Sequence, residues 1–267
     1  MLNQLKSRLG LHHLGLKEGQ KVDFLICGAQ KSGTSALNKY LAAHPGVCVA
    51  DKKEVHYFDR DEFFVENKPD YEEYHSSFSG NTQNKRVGEA TPIYMYWEQA
   101  TKRIWEYNPQ IKLILMLRNP IDRAYSHWNM ERYKGKESLP FLEAVEMESV
   151  RRQNVSPLQD RVYSYLDRGY YLNQLKRINR YFPANQVLVL KYDDYRDRPD
   201  NTLNKICDFL NISRLKNVKN EIVYARPYIT NMTVEEREAM AKIYEAEIRG
   251  LEKLLDWDCS KWLGLSH

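Results

Sequence analysis

The chain has 267 residues, 42% hydrophobic and 28% charged, and carries 5 Trp, 19 Tyr and 8 Phe. That is ample apolar material for one large core, and it excludes a disordered or low-complexity chain. Lys and Arg number 40 against 36 Asp and Glu, so the net charge is only +4, too balanced to argue for a nucleic-acid partner.

Residues 1–20 read as an N-terminal extension, in which Leu2, Leu5 and Leu9 suggest a short amphipathic helix and no apolar run is long enough for a secretion signal. The first strand is expected at 22–27 (VDFLIC), followed at once by the turn GAQKSGTS and a helix over 36–43. Near-continuous apolar runs at 111–117 (IKLILML) and 186–191 (QVLVLK) read as strands covered on both faces. Helical patterns occupy 94–107, 121–133, 171–182 and 201–210. Thr233 with Glu236 three residues on forms a capping box that opens a last helix over 234–255. Strand and helix alternate without a linker or repeat, which predicts a single P-loop-like α/β domain, a central parallel sheet flanked by helices on both faces. No stretch approaches the roughly 20 apolar residues of a membrane span. The four cysteines lack any metal-ligand spacing, and Cys27 and Cys48 sit in apolar segments as small core residues. A reduced, cytoplasmic setting is therefore expected, although a lumenal catalytic domain without its anchor would read the same.

Two motifs carry chemistry. Gly28-Ala-Gln-Lys31-Ser32-Gly33-Thr34-Ser35 follows a strand and opens a helix. Backbone amides and the helix dipole at such a junction welcome a phosphate or sulfate. Gly28 and Gly33 keep the frame of a nucleotide-triphosphate loop, but the lysine lies inside it, at position 31, and not directly after Gly33. The second motif is Arg118 at the end of a buried strand, followed by Asn119 as helix cap, Pro120 at the first helical position and Asp122 in the first turn. This places Arg118 at the sheet edge that carries the Lys31 loop, where open α/β sheets bind ligands. Ser126, eight residues on, can offer a hydroxyl to the same anion. A plain surface pairing of Arg118 with Asp122 is the competing reading.

Together these motifs resemble the sulfotransferases that use 3′-phosphoadenosine 5′-phosphosulfate (PAPS). The segment Lys52-Lys53-Glu54-Val55-His56-Tyr57-Phe58-Asp59 is similar to one in the heparan sulfate branch and its bacterial relatives, and so is Glu89-Ala90-Thr91-Pro92. The resemblance runs from about residue 23 to 262 and makes 21–267 a sulfotransferase domain. It implies a donor site of Lys31, Ser32, Gly33, Thr34 and Ser35 around the 5′-phosphosulfate, and Arg118 with Ser126 on the 3′-phosphate. Glu54 would be the general base, Lys31 the group that neutralises the leaving phosphate, and His56 an orienting or assisting residue. Arg226, in Tyr224-Ala-Arg226-Pro-Tyr228, is the candidate for a basic loop over the nucleotide. PAPS is then a co-substrate released as adenosine 3′,5′-bisphosphate, with no metal required. Two departures from the heparan sulfate branch, Ala90 and Ser35 where basic residues stand in relatives, remove positive charge and argue against a heavily anionic polysaccharide acceptor. A sugar hydroxyl, lipid, peptide or small alcohol all stay open.

Glu54 and His56, two residues apart, would project to one face of an extended segment. Asp59 reads as structural. Tyr57, Phe58, Tyr94, Tyr96 and Trp97 can either line the acceptor pocket or pack in the core. The histidines His12, His13, His44, His75 and His267 show no constellation. Two other functions compete: a P-loop kinase or NTPase, which would need Lys directly after Gly33 and a metal-binding acid, and a non-catalytic nucleotide-binding domain.

Overall fold

The central strand β1 (Phe24–Gly28) is buried along its whole length, and its side chains alternate between two cores. Phe24 and Ile26 face one, Leu25 and Cys27 the other. A computed structural model describes residues 15–67, 69–153, 159–214 and 227–264 of the chain. In it β1 is flanked by β3 (Arg86–Ala90) and β4 (Lys112–Leu117), with β2 (Val47–Val49) and β5 (Val187–Lys191) at the edges. All four pairings are parallel, with Phe24 opposite both Gly88 and Lys112, and Leu113 opposite Val187. A parallel sheet needs a crossover between strands, and helices provide them, which covers both faces.

One face is closed by α1 (Thr34–Ala42), α8 (Tyr192–Asp197) and α9 (Pro199–Leu210), through Leu37, Leu41, Tyr195, Leu203 and Ile206. The larger core on the other face takes α3 (Ala100–Tyr107), α4 (Pro120–Tyr133), α7 (Tyr171–Asn179) and α10 (Val234–Leu255). Two short helices, α2 (Tyr71–His75) and α5 (Phe141–Glu146), complete it, and α6 (Glu148–Arg152) follows α5. The single α/β domain with a parallel sheet matches the expectation, and α10 opens on the expected capping box. Thr233 Oγ1 accepts from the Glu236 amide at 3.1 Å while Glu236 accepts from the Thr233 amide at 2.8 Å.

Several expected boundaries shift. The helical pattern at 94–107 is helix only from Ala100. Before it the chain turns tightly, with the Met95 amide donating to Cys27 and the Trp97 amide to Ile93. Residues 171–182 are helical to Asn179, ahead of Pro183. Strands β2 and β3 have no counterpart in the sequence reading. β2 is three residues long, and β3 is interrupted by Gly88, which breaks its apolar run. That glycine is required by close packing, because a Cβ there would lie 2.4 Å from the Phe24 ring. The leucines at 2, 5 and 9 lie outside the described residues.

Gly88→Ala should therefore overpack the centre of the sheet and lower stability by about 1–3 kcal/mol, visible as a fall of several degrees in thermal midpoint. An unchanged midpoint would contradict the close approach of β3 to Phe24.

Candidate active site

β1 is central, so the loop that leaves its C-terminal end emerges between the ends of β3 and β4. The Ala29 amide donates to the Met116 carbonyl at 2.8 Å, which ties the loop to β4. Lys31 at φ +71° and Gly33 at φ +83° both adopt the left-handed conformation. Gly33 fits where no side chain would, since a Cβ would sit 2.9 Å from the Tyr192 ring. Helix α1 then begins at Thr34. The amides of Gly33, Thr34 and Ser35 stand at its N-terminus, where helical amides lack intrahelical acceptors. Ser32 and Thr34 are buried, and Ser35 is half-buried.

Arg118 follows β4 directly. Its Nη1 donates to the Lys31 carbonyl at 3.1 Å, and its guanidinium lies 5.2 Å from the centre of the Tyr192 ring. The Tyr171 hydroxyl donates to the Arg118 carbonyl at 3.0 Å. Asp122 is paired elsewhere, with Arg237 at 2.8 Å, so the surface pairing with Arg118 does not form. Asn119 caps α4 as expected, accepting from the Ile121 amide, and its Nδ2 donates to the Trp262 carbonyl. Ser126 is half-buried in α4. Arg226 lies outside the described residues.

Glu54 and His56 are not extended. Both are left-handed, at φ +38° and +56°, and the segment curls until their side chains meet. His56 Nε2 is 3.2 Å from Glu54 Oε2 and Lys53 Nζ is 2.7 Å from Glu54 Oε1. On its other side His56 Nδ1 is 3.0 Å from Asp59 Oδ2, and Asp59 is bonded in turn to Arg161. The result is a chain of alternating charge: Lys53, Glu54, His56, Asp59, Arg161. Burial by itself pushes Glu54 up, but the His56 and Lys53 contacts outweigh it and hold the carboxyl at about 2. The bonds to Asp59 and Glu54 raise His56 to about 9, so its imidazole is charged at neutral pH. Beneath this string the His56 amide donates to Thr91 Oγ1, whose hydroxyl donates to the buried Glu89 carboxylate at 2.7 Å. Burial pushes Glu89 up to about 7.

Gln30, Glu54 and His56 open onto one cleft of about 490 Å³. Arg60, Lys134, Lys136, Arg161 and Arg168 also line it, against the carboxylates of Glu54, Glu62 and Glu131. The basic lining thus comes from cations distant in sequence, and neither Ser35 nor Ala90 is part of it. Nothing in the local sequence marks Arg161 or Arg168, and the lysines of the 134–138 loop read there as ordinary solvated residues. Tyr57, Phe58, Tyr94, Tyr96 and Trp97 are core residues, each no more than 4% exposed. His127, one residue past Ser126, is fully buried, and its burial pushes the imidazole well below its ordinary range. All four cysteines are free and buried. Among the described residues no helix is long and apolar enough to cross a membrane, and no cluster of His, Cys, Asp or Glu could hold a metal.

The profile of the sulfotransferase domain matches residues 21–246. The chain belongs to the sulfotransferase family. It is 30% identical over 203 residues to the human bifunctional heparan sulfate N-deacetylase/N-sulfotransferase 2, covering 73% of this chain and 22% of that protein. It is likewise 30% identical over 195 residues to human heparan sulfate glucosamine 3-O-sulfotransferase 6, covering 72% and 52%. The chain thus spans about half the length of one relative and less of the other. A sulfotransferase from Alicyclobacillus acidocaldarius superposes with a TM-score of 0.76 at 29% identity, over 91% of this chain and 99% of that one. Mouse sulfotransferase SULT7A1, solved in complex with PAP, shares the fold at a TM-score of 0.56 and 16% identity, over 95% and 91%.

The charged string has a definite pH signature. His56 is raised on folding, from 6.5 to about 9, so its stabilisation is complete below about pH 6.5 and is lost as pH rises through 9. Glu54 is lowered, from 4.5 to about 2, so its share is present above pH 4.5 and lost as pH falls through 2. The stability gap between wild type and His56→Gln, measured by denaturant unfolding, should shrink as pH rises through 9. A gap that stays constant across that range would show that His56 is not held between two carboxylates.

Proposed function

We propose that the chain transfers the sulfuryl group of PAPS to an acceptor hydroxyl or amine, with Glu54 as general base and Lys31 stabilising the leaving phosphate. The observation that carries this reading is the juxtaposition at one sheet edge. Arg118 is bonded to the carbonyl of Lys31, and Glu54 opens onto the same cleft as Gln30, the neighbour of Lys31. A phosphosulfate in the loop would face an acceptor in the cleft. The donor fits the loop because the helix N-terminus at Gly33, Thr34 and Ser35 supplies outward amides. PAP in a relative of the same fold agrees with this donor.

In this reading Ser32, Gly33, Thr34 and Ser35 hold the 5′-phosphate, while Arg118 and Ser126 hold the 3′-phosphate that distinguishes the donor from ATP. Arg226 remains the candidate for the loop over the nucleotide. The acceptor oxygen forms a bond to sulfur as the bond from sulfur to the bridging phosphate oxygen breaks. The electron pair stays on the phosphate beside Lys31, and the acceptor proton passes to Glu54. Such chemistry rests on positioning and charge stabilisation more than on covalent catalysis. The charge on His56 supports Glu54 as the base, because an imidazolium has no lone pair to take a proton. A carboxylate at about 2 is a weak base at rest. Negative charge arriving in the Lys31 loop, and an acceptor that displaces Lys53, would both raise it. The names of the relatives point to a glycan acceptor, and the basic lining of the cleft suits an acceptor with an anionic group beside its nucleophile. A lipid or small-molecule acceptor satisfies the same geometry.

Glu54→Gln should lower kcat by at least about 10²-fold, the low end of what a positioned base contributes. Affinity for adenosine 3′,5′-bisphosphate should stay within a few-fold of wild type, and His56→Gln should cost less. The bisphosphate should bind with chelator present and stabilise the fold by about 2.7 kcal/mol at a hundredfold excess over Kd. Near-normal turnover in Glu54→Gln would remove the base role. Equal stabilisation by ATP with Mg²⁺ would favour a kinase or NTPase instead.

A further inference from the structure

Gln30 precedes Lys31 in the loop after β1, and its half-buried side chain lines the cleft that holds Glu54. Its Oε1 accepts from Arg168 Nη1 at 2.6 Å. A guanidinium has only donors, so this contact fixes which way the amide points: carbonyl on Arg168, NH₂ left over. Among the described residues no protein group accepts from that NH₂, in a side chain that lines the cleft together with Glu54.

Arg168 is held firmly. It is 2% exposed, its Nε donates to Ser164 Oγ at 2.8 Å, and its Nη2 donates to the Arg161 carbonyl at 2.9 Å. Its guanidinium lies 4.9 Å from the centre of the Tyr96 ring. Among the described residues no carboxylate pairs with it. A buried guanidinium whose direct hydrogen-bond partners are neutral acceptors is costly to bury. The same stretch of chain also supplies Arg161, which holds Asp59 and through it His56 and Glu54. One segment thus braces the donor loop with Arg168 and the acceptor wall with Arg161.

We infer that Arg168 is a positioning residue that presents the NH₂ of Gln30 to an oxygen of the sulfuryl group in transfer, beside Lys31. The inference rests on the sulfotransferase reading of the loop and adds a donor to it. Gln30 is then catalytic in the strict sense, because it touches the moving group. Arg168 acts only through Gln30, by fixing the orientation of its amide. A preorganised donor of this kind stabilises charge at the reacting centre without reorganisation during the step.

The test uses the full chain with nitrogen-labelled glutamine, PAPS without added acceptor, and adenosine 3′,5′-bisphosphate as the control that lacks the sulfuryl group. The Gln30 NH₂ resonances should shift with PAPS and stay in place with the bisphosphate, and Arg168→Lys should abolish the PAPS response. Release of radiolabelled sulfate from PAPS to water should fall about 10²-fold in Gln30→Met and in Arg168→Lys, as for loss of one preorganised donor. Bisphosphate affinity should stay within about threefold, and the double variant should be no slower than the slower single one, because the two residues act as a unit. If Arg168→Lys does not fold, Gln30→Met at its half-buried loop position decides alone. Sulfate release near the wild-type rate, multiplying losses in the double variant, or an equal NMR response to both nucleotides would each overturn the inference. A wild-type chain that binds neither nucleotide would overturn the donor reading beneath it.

Discussion

The hydrogen bond from Arg118 to the carbonyl of Lys31 is the contact on which the site depends. It joins the loop after the central strand to the loop after its neighbour, so two motifs 87 residues apart meet at one sheet edge. Tyr192 backs both loops, packing under Arg118 and filling the place where Gly33 has no side chain. Lys31 keeps a left-handed backbone that a lysine rarely adopts, and the bonds to β4 and Arg118 over-determine it. Strain of this type persists only where surrounding structure enforces it.

The opposite wall is built from charge. Lys53, Glu54, His56, Asp59 and Arg161 alternate in sign, so each carboxylate lies between two cations and His56 between two carboxylates. The alternation pins side chains that would otherwise be mobile in an irregular segment. It also sets the protonation states, with His56 charged and Glu54 ionised, so of these two it is Glu54 that has a lone pair free to take a proton. Glu89 and Thr91 support the segment from below through the His56 amide.

The parts legible in the sequence are those written in short windows. The Lys31 loop, the Arg118 turn and the Glu54 segment each combine a local backbone requirement with a chemical group, and the apolar runs at β1, β4 and β5 mark buried parallel strands. The parts that were not legible depend on distance along the chain. Arg161 reaches Asp59 across 102 residues and Arg168 reaches Gln30 across 138, and nothing around either arginine distinguishes it from a surface cation. β3 escaped because Gly88, needed for the contact with Phe24, weakens its pattern. The curled backbone at Glu54 and His56 escaped because a left-handed conformation is uncommon for any residue but glycine; ion pairs hold the side chains together there.

The most direct measurement is a crystal structure with adenosine 3′,5′-bisphosphate. The account predicts the 5′-phosphate within about 2.7–3.2 Å of Lys31 Nζ and the amides of Gly33, Thr34 and Ser35. The 3′-phosphate should lie on Arg118 and Ser126, with the 5′ end turned toward the cleft of Glu54. A nucleotide bound the other way round, or away from the Lys31 loop, would contradict it.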